Sequence, residues 1–97
     1  MEEKYKKIEK AVCDFYKVST DEVYTTKNSV YPYGIARRML MYLLYVNGMK
    51  VYHIAKLFGV SVRITNKYIA EIHVENKKDT KIREDIEKIN IMLNNQN

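Results

Sequence analysis

The amino-acid sequence predicts an all-α fold, a bundle of five to six helices built around a helix-turn-helix. Apolar residues recur every three or four positions in most segments, which is the spacing of an amphipathic helix. No segment alternates apolar and polar residues over the length of a strand. The chain has 97 residues, a length that suits one compact domain, so we expect a single domain over residues 1–97.

Two helices are predicted before the one long loop. The first covers residues 2–17, where one face is apolar and the other carries Lys and Glu. The second is short and begins at Ser19 or Thr20, since either can cap it and acidic residues follow in the first turn. The loop covers residues 25–34, where a proline and a glycine interrupt the chain and Thr, Asn and Ser resist a helix.

Residues 35–46 are the most apolar segment and predict the central helix of the bundle. Asn47-Gly48 ends this helix, because glycine readily adopts the left-handed conformation that follows a last turn. The next helix covers residues 51–58 and ends at Gly59 for the same reason.

Two more helices complete the prediction. Ser61 caps the first of them, which runs to about Val74 before the polar segment Asn-Lys-Lys-Asp breaks the chain. Asp79 or Thr80 begins the last helix, and residues 94–97 are expected to form a frayed tail. The last helix has one apolar stripe, formed by Ile82, Ile86, Ile89 and Leu93.

Positive charge is concentrated in the middle of the sequence. The formal net charge is +5, and all 12 acidic residues lie outside the stretch from Val23 to Ala70. That stretch contains seven basic residues, which are Lys27, Arg37, Arg38, Lys50, Lys56, Arg63 and Lys67. A long acid-free stretch in a chain that is 30% charged indicates a polyanionic partner.

Residues 51–74 have the spacing of a helix-turn-helix. Ala55 is small enough for the two helices to approach, and Gly59 suits the positive φ of the turn. Phe58 and Val60 flank the turn as core anchors. The outer face of the second helix, which such motifs present to the major groove of double-stranded DNA, then consists of Ser61, Val62, Arg63, Asn66, Lys67 and Ala70.

One position of this motif is unusual. The inner position four residues after Ser61 is Thr65, where an aliphatic residue is more common. A slight rotation of the helix would let Ile64 take that place, and Thr65 is included among the candidate DNA contacts. Two helices joined by a glycine turn also occur in proteins that never bind DNA, so the spacing alone leaves that alternative open.

Five segments, in their order and spacing, resemble the C-terminal domain of the bacterial replication initiator DnaA over roughly residues 7–93. They are IEKAVCDFYKVSTDEVYTTKNS, ARRMLMYLL, IAKLFGVS, YIAEI and IREDIEKI. The resemblance implies a helical bundle that binds a short duplex element at replication origins. In that family a basic loop enters the minor groove and the start of the recognition helix enters the major groove. No G-x-x-x-x-G-K-S/T phosphate loop occurs in the sequence, so the ATPase part of DnaA is not expected.

Carried over by position, the resemblance assigns DNA-contacting roles to several residues. Lys27 and Asn28 stand in the basic loop, and Arg37 and Arg38 stand at the start of the helix that follows. After a one-residue shortening near the turn, the family's signature triplet of Asp, His and Thr is replaced by Ser61, Val62 and Arg63. The basic loop also keeps a single Lys. The sequence specificity of DnaA is therefore not expected here.

We predict a double-stranded DNA-binding module without catalytic activity, acting in replication initiation or its regulation, or in transcription control. The recognition helix, residues 61–74, would enter the major groove, and the loop at residues 25–34 would lie near the minor groove. Arg63 and Asn66 would face base edges. The expected phosphate contacts are Lys27, Arg37, Arg38, Lys50 and Lys67.

No catalytic site, metal site, cofactor or small-molecule substrate is predicted. His53, His73 and Cys13 are too far apart in sequence for a metal site, and no nucleophile is paired with a base at a recognisable interval. No apolar run reaches the roughly 18–20 residues of a membrane span. Since Cys13 is the only cysteine and cannot form an internal disulfide, we expect a cytoplasmic protein.

A second interpretation is a helical protein–protein adaptor that keeps a DnaA-like scaffold and has lost DNA binding. Its docking surfaces would be the amphipathic first and last helices, which are rich in both signs of charge. A protein partner or a fused domain is compatible with both interpretations, because a single motif with a weakened basic loop binds feebly alone.

Overall fold

The computed structural model describes residues 1–27 and 29–95, and this part of the chain forms six helices and no strand. The helices are α1 (Glu3–Tyr16), α2 (Thr20–Thr25), α3 (Tyr33–Val46), α4 (Val51–Phe58), α5 (Val62–Lys78) and α6 (Thr80–Asn94). The predicted all-α class is therefore confirmed. The six helices agree with the prediction of five to six.

Local interactions and backbone conformation fix two helix ends where the sequence predicts them. The Ser19 hydroxyl accepts a hydrogen bond from the Glu22 amide at 3.0 Å, and the Glu22 carboxylate accepts one from the Ser19 amide at 2.9 Å. This reciprocal pair begins α2 and lowers the pKa of Glu22, because the Ser19 N–H stabilises the charged carboxylate. α4 has the predicted bounds and ends at Gly59, whose φ is 65°.

α3 begins at Tyr33, earlier than the predicted residue 35. Gly34 belongs to its first turn and is buried. A Cβ at this position would overlap the carbonyl oxygen of Ser29, so the absence of a side chain lets the preceding loop pack directly on the helix. The glycine that predicts a loop in the sequence is in fact a packing residue of α3.

α5 continues to Lys78 instead of ending near Val74. The Arg83 guanidinium, from the next helix, donates hydrogen bonds to the carbonyl groups of Asn76 and Lys77 at 3.3 and 3.2 Å. These bonds satisfy acceptors that the end of a helix leaves open. The polar segment that predicts a break is therefore the last turn of a stabilised helix.

Asp79 alone separates α5 from α6. Its carboxylate accepts hydrogen bonds from the amides of Lys81 and Ile82 at 2.8 and 3.3 Å, so it is the N-cap of α6, one of the two residues predicted to begin this helix. Of the tail predicted to fray, Asn94 is the last residue of α6, and residues 96 and 97 lie outside the described part of the chain.

α3 lies at the centre of the hydrophobic core, as its composition predicts. Its buried apolar side chains are Ala36, Met39, Leu40, Met41, Leu43 and Leu44. The other five helices add buried residues to the same cluster. α3 packs most extensively against α5 and α1, so the core fixes the position of α5 relative to α3.

One buried polar contact joins the first helix to the last. Asp85 is 2% exposed, and its carboxylate accepts hydrogen bonds from the Tyr16 hydroxyl and from the Lys81 ammonium group, both at 2.8 Å. Burial of Tyr16 and its bond to Asp85 raise the pKa of the phenol, so the hydroxyl keeps the proton that it donates. A buried carboxylate needs such donors, because a buried charge without them is strongly destabilising.

Replacing Tyr16 with Phe removes one donor from the buried Asp85 carboxylate. We expect Tyr16→Phe to lower the free energy of unfolding by about 1.5–3 kcal/mol, which is typical of a hydrogen bond to a charged group. Urea unfolding followed by circular dichroism measures this change.

Tyr42→Phe is the matched control for that measurement. Tyr42 also packs half-buried against the core, and its hydroxyl has no hydrogen-bond partner within the described residues. We expect its loss to change the free energy of unfolding by less than about 0.5 kcal/mol. Equal destabilisation by the two substitutions would show that the Tyr16–Asp85 bond contributes nothing specific.

Candidate nucleic-acid interface

Two helices, α4 and α5, are joined by the short turn of residues 59–61. Gly59 has a positive φ, and the Val60 amide donates a hydrogen bond to the carbonyl of Ala55 at 3.1 Å, which closes the end of α4. The Ser61 hydroxyl accepts a hydrogen bond from the Ile64 amide at 3.1 Å and caps α5. The predicted glycine turn and serine cap are both confirmed.

α5 has one buried face and one exposed face. Thr65, Ile69 and Ile72 point into the core and are at most 7% exposed. All the residues predicted for the outer face are exposed, which are Ser61, Val62, Arg63, Asn66, Lys67 and Ala70. The structure therefore places the candidate base-reading residues where a ligand can reach them.

Thr65 is the one candidate DNA contact on α5 that is not exposed, and its inclusion was wrong. Its side chain is fully buried, and its hydroxyl donates a hydrogen bond to the Ser61 carbonyl at 3.0 Å. Because that bond satisfies the hydroxyl within the helix, a threonine can fill a position where an aliphatic residue is more common. Ile64 is 40% exposed, so the rotation that would bring Ile64 inward does not occur.

Arg38 is tied to α5 by an ion pair. Its Nη1 lies 3.3 Å from Oε2 of Glu71, and its Nε donates a hydrogen bond to the Gly34 carbonyl, also at 3.3 Å. Glu71 is the first acidic residue after the acid-free stretch, so sequence reasoning counted the charge of Arg38 as uncompensated. The structure shows that this charge is partly balanced and that the side chain is held in place.

Lys67 lies near this ion pair on the surface of α5. Residues four positions apart are neighbours on a helix surface, so Arg63, Lys67 and Glu71 form one row along α5. Arg38 lies at the Glu71 end of that row. Arg63 and Lys67 on the outer face of α5 therefore share one surface with Arg38 at the start of α3.

Arg37 anchors the loop that precedes α3. Its Nη1 donates a hydrogen bond to the Thr26 carbonyl, and its Nε is buried without a hydrogen-bond partner among the described residues. Lys27, the next residue of the loop, is exposed, and Asn28 lies outside the described residues. Only part of the Arg37 guanidinium therefore remains available to an external anion.

The two arginines border a polar cavity of about 220 Å³ at the N-terminal end of α3. Its other lining residues are Ser29, Gly34 and Tyr68. Two arginines and two hydroxyl-bearing residues thus line one small space, and the positive end of the α3 dipole adds to the attraction for an anion. Sequence reasoning missed Ser29 and Tyr68. The packing of the loop on Gly34 brings Ser29 to the arginines, and the packing of α5 on α3 brings Tyr68.

The candidate phosphate contacts do not form one cluster. Lys27, Lys50 and Lys67 are all exposed, and none of them forms an ion pair with a residue that the structure describes. Lys50 follows the far end of α3, which lies about 14 Å from Arg37 along the helix axis at about 1.5 Å per residue. The structure therefore leaves Lys50 apart from the cavity.

No other group of residues in the described part of the chain suggests chemistry. No cluster of three or more His, Cys, Asp or Glu side chains there is arranged to hold a metal ion, and His53 and His73 are exposed. Burial raises the pKa of the Cys13 thiol to about 11, so the reactive thiolate is scarce at neutral pH. Among the helices of residues 1–27 and 29–95, none combines the length and apolar character of a bilayer span.

The row on α5 and the cavity beside it are thus the features that bear on function. They combine exposed cations with hydroxyl groups on a rigid pair of helices. In comparisons with known proteins, the chain matches no family model, no curated protein and no solved structure.

Proposed function

We propose that the protein binds double-stranded DNA, with the exposed face of α5 in the major groove. One observation carries this proposal. The outer face of α5 presents Arg63 and Lys67 without an acidic residue until Glu71, and the arginines of α3 border a polar cavity beside it. A basic helix face flanked by further cations is the electrostatic footprint of a DNA-binding protein.

The cavity between α3 and α5 supports a phosphate contact. Arg37 and Arg38 offer N–H donors, and Ser29 and Tyr68 offer hydroxyl groups. Charge-assisted hydrogen bonds from guanidinium to phosphate are strong and directional. In this proposal the cavity sets the position of the protein on the duplex, while Lys27 and Lys67 add electrostatic attraction from either side.

Three exposed residues at the start of α5 supply groups that discriminate between bases. Arg63 can bond a guanine in two places, and Asn66 can bond an adenine in the same manner. Val62 is 45% exposed and can contact the methyl group of a thymine. Ser61, Val62 and Arg63 stand in place of the triplet of the DnaA signature, so we propose a target sequence different from that of DnaA.

The resemblance to the C-terminal domain of DnaA supports a role in replication initiation or its regulation, or in transcription control. In this proposal the module has no catalytic activity and acts in the cytoplasm, where its single cysteine stays reduced. Selection from a random duplex library tests the proposal directly. A chain in which Arg63 and Lys67 are both alanine gives the background of the selection. If the unchanged chain enriches no sequence above that background, sequence-specific binding is overturned.

Salt dependence measures how many phosphates the protein contacts. With about five contacts, the logarithm of the association constant should fall against the logarithm of the salt concentration with a slope of about −4 to −5. Lys67→Ala should reduce the magnitude of that slope by about 1, because it removes one phosphate contact. Fluorescence anisotropy on a labelled duplex measures both slopes.

Lys88→Ala is the control for this experiment, since Lys88 is an exposed lysine on α6, away from the row on α5. The salt slope of the Lys88→Ala variant should equal that of the unchanged chain. A nearly flat salt dependence of the unchanged chain would contradict phosphate binding.

Arg63 should contribute sequence discrimination as well as charge. We expect Arg63→Ala to lose about 1–3 kcal/mol of preference at one base pair of the selected sequence, because a bidentate arginine–guanine contact has that value. Arg63→Lys keeps the charge and should keep the salt slope, with weaker discrimination. Competition assays with single-base variants of the duplex measure the preference, and equal weakening on every duplex would show that Arg63 reads no base.

Glu71 should oppose DNA binding. Its carboxylate competes with phosphate for Arg38 and lies one helical turn from Lys67, so Glu71→Gln should raise the affinity for duplex DNA about two- to fivefold. Glu84 is an exposed acidic residue on α6. Glu84→Gln removes the same charge outside the row and is the control. An unchanged affinity of the Glu71 variant would mean that DNA does not approach Arg38.

A further inference from the structure

An apolar groove lies at the other end of α3 from the polar cavity. Its volume is about 640 Å³, and its walls come from the start of α1, the turn after α3 and the outer side of α4. The large apolar side chains that line it are Met1, Tyr5, Met49, Tyr52 and Leu57. Tyr52 is 55% exposed and Leu57 is 39% exposed, so the fold leaves a continuous apolar surface uncovered.

The shape of the groove depends on Gly48 and Tyr52. Gly48 has a φ of 110°, and a Cβ at this position would lie 3.3 Å from the Tyr5 hydroxyl, so a side chain there would strain the turn and narrow the groove. The Tyr52 ring contacts the neighbouring His53 ring, with the two centroids 4.3 Å apart. Both rings line the groove.

The rim of the groove is basic. Lys50 and Lys56 line it, and the Lys4 ammonium group lies 4.9 Å from the centroid of the Tyr5 ring at its edge. Glu2 is the single acidic residue among the described residues that line it. None of the three lysines forms an ion pair with a described residue, so their charges are available to a ligand.

We propose that this groove binds an acidic amphipathic helix of a partner protein. Large apolar side chains of that helix would contact Tyr52 and Leu57, and its carboxylates would face the lysines of the rim. An amphipathic helix in an apolar groove is a common mode of recognition, and complementary charge at the rim adds specificity and speed of association. The site shares only the start of α1 with the docking surfaces that the sequence predicts on the first and last helices.

Charge and polarity argue against two other occupants. A DNA backbone would place phosphates over an apolar floor, where their charge would lose hydration without gaining hydrogen bonds. A second copy of the chain carries a net charge of +5, so it would be repelled by a basic rim. An acidic helix with an apolar face can place apolar side chains on the floor and carboxylates next to the lysines of the rim.

Selection from a random library of displayed peptides tests this proposal. The intact chain is the target, and the chain carrying Tyr52→Ala is the counter-target that removes peptides bound elsewhere. We expect the recovered peptides to be rich in Asp and Glu and to carry large apolar residues at helical spacing. A synthetic copy of a recovered peptide should shift the amide resonances of Gly48, Met49 and Leu57.

Two substitutions should each weaken the synthetic peptide at least about tenfold. Tyr52→Ala removes the apolar wall, and Lys56→Glu reverses the charge of the rim. Tyr45→Ala is the matched control, because Tyr45 is 48% exposed and lies outside the groove, and it should leave the affinity unchanged. All three side chains are exposed, so the fold should survive each change.

The outcomes separate this proposal from DNA binding. Tyr52→Ala should leave the affinity for duplex DNA unchanged, so either function can fail alone. Recovery of basic or uncharged peptides, or of none above the counter-target, would overturn the groove proposal. Self-association of the chain that Tyr52→Ala abolishes would assign the groove to a second copy, and resonance shifts at Gly48 and Leu57 caused by duplex DNA would assign it to DNA.

Discussion

The rotational setting of α5 about its own axis is the constraint on which the candidate interface depends. Thr65 and Ile72 are fully buried on its inner side, and the Arg38–Glu71 pair at 3.3 Å holds the same setting from the surface. A rotation by one residue, about 100°, would expose Thr65 and turn Arg63 away from the exposed side. The row of basic residues therefore exists because the core accepts a threonine whose hydroxyl is already satisfied by the Ser61 carbonyl.

The sequence predicts those helix ends that depend on local chemistry. Ser19, Gly59 and Ser61 act through residues within one turn of themselves, and residue preferences at caps and turns describe such contacts well. The start of α3 and the end of α5 depend on groups that the local pattern does not contain. Gly34 is required by the packing of a loop carbonyl, and the last turn of α5 is stabilised by Arg83 from the next helix.

In the candidate interface too, the sequence predicts what depends on local contacts and misses what depends on contacts between helices. Helical periodicity is enough to place Arg63 and Lys67 on the exposed side of α5. Periodicity does not predict which charged side chains pair between helices. Arg38 pairs with Glu71, which lies 33 positions later in the sequence. Counting charges along the chain therefore overstated the free positive charge. The polar cavity likewise needs tertiary packing, since Tyr68 of α5 completes a wall that the loop and α3 begin.

α3 links two surfaces of different chemistry. Guanidinium and hydroxyl groups surround the cavity at its first turn, whereas tyrosine, methionine and leucine line the groove beyond its last turn. One face of α3 is buried in the core from Gly34 to Leu44. Because interiors packed to crystal-like density transmit position with little distortion, α3 acts as a spacer between the two surfaces. Among the described residues, the two proposed sites share no lining residue. If both proposals hold, a partner helix in the groove would lie at a fixed distance and orientation from the duplex, and the protein would connect the two ligands.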